Sequence, residues 1–386
     1  MPRFLPTARV ALAALGGLYG TAVVLLAIPY IQTQTLFLHS LKIPWGSAYD
    51  MPEKYGLAPN KTINLRIQTV DNESLGAWFV LSDPFYHSLP TIPSQPAELI
   101  PAALKGRPTI LFFHGNAATR AFSARIQHYT SFSSRLSANV LAIDYRGYGD
   151  STGSPNETGL ARDARAAWNW LIEHGCAAHD ILIVGHSLGT GVSALLGAEL
   201  SDEGISPRGI VLLSPFSSIS KVLETYSIFG VLPLMKPLAM IPWAADLVKR
   251  AIIHKFDTQT LVPRIKGPVL IAHAENDWDI PYSHSEALFT TFLEPLLPAA
   301  PSLPTNAISL SQAEWSAFTQ QLAVRKEKRD GIVTTVALHH FGTVQEFTES
   351  GRKVVFVLTL AGGHDYLGVQ EGLQDVIGRT FGFFGH

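Results

Sequence analysis

Ile181-Leu-Ile-Val-Gly-His-Ser-Leu-Gly-Thr-Gly-Val192 decides how this chain folds. Its first four residues are apolar and mostly β-branched, the signature of a short buried strand. Gly185-His186-Ser187-Leu188-Gly189 follows and fits the pattern G-x-S-x-G, in which a serine sits on a tight strand-to-helix turn. Thr190 to Leu200 then reads as the helix that leaves the turn. Such a turn crowds the backbone on both sides of the serine, so the glycines supply room that a side chain would take. The serine stands at the top of a sheet, and the helix N-terminus directs partial positive charge at it.

Outward from this turn, strand and helix signals alternate. Strands are expected at Thr62–Val70, Leu75–Leu81, Thr109–His114, Asn139–Tyr145, Ile181–Gly185, Gly209–Ser214, Val269–His273 and Val354–Thr359. The first two alternate apolar and polar residues, as exposed antiparallel edge strands do, whereas the others are continuous apolar runs. Helical patterns lie near Arg120–Leu136, Thr158–Glu173, Leu188–Leu200, Ser283–Phe292 and Leu367–Phe381. Two antiparallel strands followed by β-α repeats predict an α/β domain over 41–386, with helices on both faces of a mostly parallel, eight-stranded sheet. With the G-x-S-x-G turn in the middle, this is the α/β-hydrolase fold.

A serine hydroxyl is a weak nucleophile and needs a base, which a third group orients. In this fold the chain order is Ser, then Asp or Glu, then His. Asp277 lies just past the Val269–His273 strand, at the usual spacing before a proline; Asp279 is the next candidate and Glu275 shares the loop. His364, in Leu360-Ala-Gly-Gly-His364, follows the last strand. His339 and His340 precede that strand, at its wrong end, and read as a solvated loop. His114-Gly-Asn-Ala117 follows the third strand, where the second oxyanion donor belongs, so the backbone N–H groups of Asn116 and Leu188 are the expected oxyanion hole. His114 and His186 read as structural neighbours. The chemistry is ester cleavage through an acyl-enzyme, with no metal or organic cofactor. A rival dinucleotide fingerprint, Gly189-Thr-Gly-Val-Ser-Ala194, lacks its acidic partner: position 208 is arginine and the next strand ends at Ser214. The single cysteine, Cys176, allows no intramolecular disulfide and has no cysteine-hydrolase motif around it.

The chain carries 29 basic and 31 acidic residues, without the basic footprint that nucleic acid demands. Only 16% of residues are charged, which directs attention to membrane segments. Val10 to Ile31 is uncharged and almost wholly apolar; at about 1.5 Å per residue it spans roughly 33 Å, enough for a bilayer. A signal peptide would have a shorter apolar region, about 7–15 residues, so residues 1–40 are read as a tail and one uncleaved transmembrane anchor. Arg3 and Arg9 before it favour a cytoplasmic N-terminus and a translocated body. Three glycosylation sequons, at Asn60, Asn72 and Asn156, agree with a lumenal body. Within 217–256 a proline-broken apolar run, 228–243, is expected as a helical lid that binds an acyl chain or touches the bilayer. Residues 294–352 form an insertion before the last strand, with a helix expected over Gln312–Arg329.

Phe112-Phe-His-Gly-Asn-Ala117, Asp144-Tyr-Arg-Gly-Tyr-Gly-Asp-Ser151, Gly185-His-Ser-Leu-Gly-Thr-Gly-Val192, Leu213-Ser-Pro-Phe-Ser217 and His273-Ala-Glu-Asn-Asp277 resemble the group called alpha/beta hydrolase domain-containing protein twelve. The resemblance covers Leu75 to Asp277 and resumes around His364. It implies a single-pass endoplasmic-reticulum protein with a lumenal catalytic domain, cleaving lysophosphatidylserine and monoacylglycerol. By motif it assigns Ser187 as nucleophile, Asp277 as acid and His364 as base. Residues 294–352 depart from the group's pattern, so the resemblance leaves the rim of the acyl pocket unassigned. Other readings of the same sequence are a thioester or peptide substrate, and a lipid-binding protein without turnover.

Overall fold

A hairpin of β1 (Thr62–Gln68) and β2 (Ser74–Val80) forms one edge of the sheet, with Thr62 opposite Val80. β3 (Thr109–Phe113), β4 (Asn139–Ile143), β5 (Ile181–His186), β6 (Gly209–Leu213), β9 (Val269–Ala274) and β12 (Arg352–Thr359) run parallel through its centre. β11 (Gly342–Glu349) and β10 (Thr334–Leu338) complete the far edge in antiparallel pairing. The sheet order is β1-β2-β4-β3-β5-β6-β9-β12-β11-β10, and β7 (Ser227–Ile228) pairs with β8 (Leu232–Pro233) apart from it. This computed structural model describes residues 4–225, 227–228, 232–233, 242–301 and 311–384.

The period of two in the strands sorts the core into two layers. Leu111, Phe113, Ile181, Ile183, Ile210 and Leu212 face one layer, with Leu171 and Leu196 from the helices Glu157–Glu173 and Leu188–Asp202. Their neighbours Ile110, Phe112, Leu182, Val184, Val211 and Leu213 face the other, against Tyr129, Phe132, Leu373 and Ile377 from Ser123–Arg135 and Glu371–Phe381. Alternate residues of a strand point to opposite faces, so a sheet covered on both sides needs apolar residues at every position.

All eight expected strands are present, but among the described residues the sheet has ten. The two extra strands come from the 294–352 insertion. Every residue of β10 is exposed, Val336 and Leu338 included, so its Thr-Thr-Val-Ala-Leu sequence shows no alternation between a buried and a solvent face. The Gln312–Ile332 helix precedes it, opened by a capping box between Ser311 and Glu314. The hairpin also corrects the position of His339 and His340. β11 runs back along β12 with Gly342 opposite Thr359, so the 339–341 turn lies at the carboxyl end of the last strand, not its start. His340 takes φ 61 there, a left-handed conformation that histidine adopts more readily than most residues.

The expected single transmembrane helix is divided. One helix runs Phe4–Leu26 and a second runs Pro29–Phe37. Pro29 has no N–H to continue the first helix and stands at the first position of the second. Among the described residues no single helix is long and apolar enough to cross a membrane. Ala13–Leu26 and Pro29–Phe37 qualify only as a pair, bent by 93°. The expected lid begins with the helix Ile219–Thr225, contains the β7–β8 pair and ends with Pro242–Ala251. The strand pair departs from the helical expectation, and residues 229–231 and 234–241 of the 228–243 run lie outside the described residues.

After the second helix the chain is built into the body. Phe37 is fully buried, edge-on to His254 at 5.0 Å and to Phe256 at 6.2 Å. Its carbonyl accepts hydrogen bonds from the Tyr148 hydroxyl (2.6 Å) and the Ala117 N–H (3.0 Å). The carbonyls of Leu41 and Ile43 accept from Ala118 N–H (2.8 Å) and Thr119 N–H (3.0 Å). Residues 37–43 therefore form a strap along the loop that follows β3.

Candidate active site

Ser187 stands between β5 and the Leu188–Asp202 helix with φ 51 and ψ −118, a strained backbone for a residue with a side chain. A Cβ on Gly189 would be driven into the carbonyl oxygen of Phe113, and one on Gly185 into that of Gly189. Only glycine at both positions lets β5, β3 and the helix meet this closely. Ser187 N–H donates to Leu213 O at 3.0 Å, which ties the turn to β6. Leu188 opens the helix, so its N–H has no partner within the helix.

Asp277 follows β9, and its Oδ1 accepts the N–H groups of Asp279 and Ile280, each at 2.9 Å. Its Oδ2 lies 2.7 Å from His364 Nδ1 and 3.1 Å from His273 Nε2. His273 Nε2 is also 2.8 Å from the Ile280 carbonyl, and both neighbours are acceptors, so Nε2 carries the proton. The Ser285 hydroxyl sits 2.7 Å from His273 Nδ1. Burial works to raise the Asp277 pKa, but the hydrogen bonds from His273 and His364 outweigh it and hold the carboxyl well below the usual carboxylate range. Of the three acids in this loop, Asp277 is the one joined to His364.

His364 reaches this point from the end of β12 through Gly362 and Gly363, which take φ 133 and 57. Its carbonyl receives His186 Nε2–H at 2.8 Å and the Ser214 hydroxyl at 3.3 Å. Burial first, then the neighbouring His364 and His128, holds the His186 pKa well below the ordinary value, so this ring is neutral and acts as a fixed donor. For the His364 imidazole, burial opposes protonation. The hydrogen bond and charge of Asp277, helped by Asp279 and Asp365, outweigh burial and raise its pKa. With Nδ1–H given to Asp277, Nε2 is left with its lone pair. His364 and Ser187 line one cavity of about 470 Å³, together with Asn116, Leu188 and Asp279. His339 and His340 are exposed and do not line it.

The loop after β3 is held by Arg125, a residue with no motif to announce it. Its Nη2 donates to the carbonyls of Gly115 (3.0 Å), Asn116 (3.1 Å) and Ala117 (2.7 Å). A trans peptide directs its N–H opposite to its C=O, so drawing the Gly115 carbonyl toward Arg125 turns the Asn116 N–H the other way. The available signal was helical spacing. Arg125, His128, Tyr129 and Phe132 form one buried stripe of the Ser123–Arg135 helix, which makes Arg125 a buried cation beside the loop. His114, also buried, has a pKa lowered to about 4, chiefly by burial, and remains neutral. Farther out, Arg120 bonds Asp144 (2.6 Å) and Asp150 (2.7 Å) beneath the Tyr49 ring, joining the Asp144–Ser151 segment to the same loop. The sequon residues Asn60, Asn72 and Asn156 are all exposed. Asn156 caps the Glu157–Glu173 helix through a hydrogen bond from Gly159 N–H.

Comparison with known proteins follows this geometry. The profile of the Alpha/beta hydrolase family matches residues 110–372. Lysophosphatidylserine lipase ABHD12 of Xenopus tropicalis is 34% identical over 291 residues, which cover 73% of this chain and 71% of that protein. The Danio rerio protein of the same name is 31% identical over 282 residues, with the same coverage of 73% and 71%. Human protein ABHD12B is 30% identical over 263 residues, 66% of this chain and 67% of that protein. An alpha-beta hydrolase from Vibrio vulnificus superposes with a TM-score of 0.54 at 16% identity, over 92% of this chain and 94% of that one; this likeness concerns the fold alone.

Proposed function

The chain belongs to the alpha/beta hydrolase family, and from that premise we propose that it cleaves the ester bond of lipids with a single acyl chain, through Ser187, His364 and Asp277. The observation that carries this reading is the 2.7 Å contact of His364 Nδ1 with Asp277, in a histidine that shares a cavity with the strained Ser187. His364 Nε2 takes the Ser187 proton as Oγ attacks the ester carbonyl. The tetrahedral oxyanion is received by the N–H groups of Asn116 and Leu188, one such donor being worth roughly 3–4 kcal/mol in the transition state. His364 then protonates the leaving alcohol. It next deprotonates water, which hydrolyses the acyl-enzyme and frees the fatty acid.

The lipid part rests on the relatives, two of which are named lysophosphatidylserine lipases, and on the uncharged, apolar Val10–Ile31 stretch. Residues 1–40 are the proposed N-terminal tail and membrane anchor and 41–386 the catalytic body. The body lies on the lumenal side of the endoplasmic reticulum, a reading supported by three exposed sequons and by the arginines before the anchor. The test is fatty-acid release by detergent-purified protein from lysophosphatidylserine and monoacylglycerol, wild type beside Ser187→Ala. Release abolished by the substitution is expected, and release that persists overturns the assignment of Ser187. Labelling of Ser187 by a fluorophosphonate without release from either lipid would favour a thioester or peptide substrate. Neither labelling nor release would leave lipid binding.

A further inference from the structure

A second cavity, of about 450 Å³, adjoins the one that holds Ser187. The two share a wall: Leu36, Leu38, Asn116, Ile219 and Val222 line both. Their chemistry differs. The first presents Ser187, His364, Arg125 and Asp279, whereas among the described residues the second is lined by no acidic or basic side chain apart from the imidazole of His254. Its walls are Val23, Leu26 and Ala27 from the N-terminal helices, and Leu223, Val248 and Ile252 from the base of the lid.

Polar groups in this wall are turned toward each other. The Gln32 amide donates to the Ala251 carbonyl (2.8 Å) and accepts from Ile253 N–H (3.1 Å). Thr33 Oγ1 lies 3.1 Å from His254 Nε2, and burial lowers the His254 pKa, which favours a neutral ring. These bonds clamp the second N-terminal helix to the lid base and leave aliphatic surface facing the space between them. A cavity of this size and lining suits an aliphatic tail, and its junction with the Ser187 cavity lets an ester stay at the serine while its tail passes Leu36 and Val222.

We propose that the N-terminal helix pair is itself a wall of the acyl-chain subsite, so that the fatty tail of the substrate lies between the anchor and the lid base. The proposal rests on the ester-hydrolase reading and adds where the chain goes. The helix that supplies Val23 and Leu26 to this wall also carries exposed apolar side chains, Leu18 at 69% and Val24 at 67%. A tail enters from that apolar side and the headgroup remains toward Asp279.

The experiment uses the full chain in detergent. Leu26→Trp and Leu223→Trp each fill the cavity from opposite walls, and Val248→Ala enlarges it. For each, kcat/KM is measured on lysophosphatidylserines with short and long acyl chains. The tryptophan variants should lower the long-to-short ratio by about tenfold or more, and Val248→Ala should move it the other way. Tryptophan variants that keep the wild-type ratio while still labelled by fluorophosphonate overturn the proposal. A second readout needs no turnover: lysophosphatidylserine with a photoreactive group at the tail end should crosslink to peptides within 23–36, 219–225 or 242–254. Crosslinking elsewhere in the chain also overturns it. Wild type that crosslinks at these peptides but releases no fatty acid would keep the subsite and sink the hydrolase reading.

Discussion

His364 carries two opposing influences in one ring. Burial opposes its protonation, and Asp277, Asp279 and Asp365 outweigh burial, so its pKa stands above the usual value of about 6.5. A general base must be unprotonated, and a raised pKa means more alkali is needed to reach that state. The kcat/KM of the wild type should therefore climb with pH through a midpoint above that of free imidazole. Asp277→Asn removes the charge that raises it, so the limb should move to lower pH while kcat falls by on the order of 10⁴. A pH–rate profile that keeps its midpoint in the variant would deny Asp277 this part. Arg125 makes a separate prediction. Arg125→Ala releases three carbonyls at once, and kcat should drop by about a hundredfold with KM little changed, because the loss falls on the proposed oxyanion donor, Asn116 N–H. Circular dichroism distinguishes this from unfolding, and restored turnover in Arg125→Lys would show that charge alone suffices. Asp277 was legible because its strand, loop and following proline lie close together in the sequence. Arg125 was not, because its three acceptors are main-chain atoms, which every residue type shares.

The elements legible from sequence are those whose apolar pattern is complete. β3, β5 and β6 are buried along their length and were found within a residue or so of their bounds. β10 was missed because an exposed edge strand has no core face to pattern it. The N-terminal break had a visible cause in Pro29, but hydropathy averaged over a window is indifferent to it. The strap that follows had no signal, since main-chain hydrogen bonds join 37–43 to 117–119. Its one fully buried side chain is Phe37, with the His39 ring tilted against Tyr148 beside it. Phe37→Ala should cost about 3–5 kcal/mol of stability, read by denaturant unfolding, because the ring is fully buried among His254 and Phe256. A cost below about 1 kcal/mol would mean that the N-terminal segment is only tethered to the body.

At the scale of the whole molecule, the fold followed from one turn and the strands around it. The two core layers are the alternation of those strands in three dimensions. The proposed lumenal sidedness is a different kind of property, argued from Arg3 and Arg9 beside the apolar stretch and tested chemically at a distance from it. Protein made in a secretory host should lose apparent mass on glycosidase treatment, through Asn60, Asn72 and Asn156. At Asn156 the helix-capping bond uses Oδ1, which leaves Nδ2 for the sugar. Unchanged mass would count against a lumenal body.

The helix between the break and the strap has nine residues, Pro29–Phe37, a reach of roughly 14 Å at the helical rise. A bilayer that holds the first helix thus holds the Asn116 loop at a nearly constant height, since main-chain bonds fasten the strap to it. For the single-chain lipid proposed as substrate, encounter then becomes a search in two dimensions, among molecules already oriented with tails down. Turnover on vesicles should follow the surface density of the lysolipid and change little when the same vesicles are diluted in buffer.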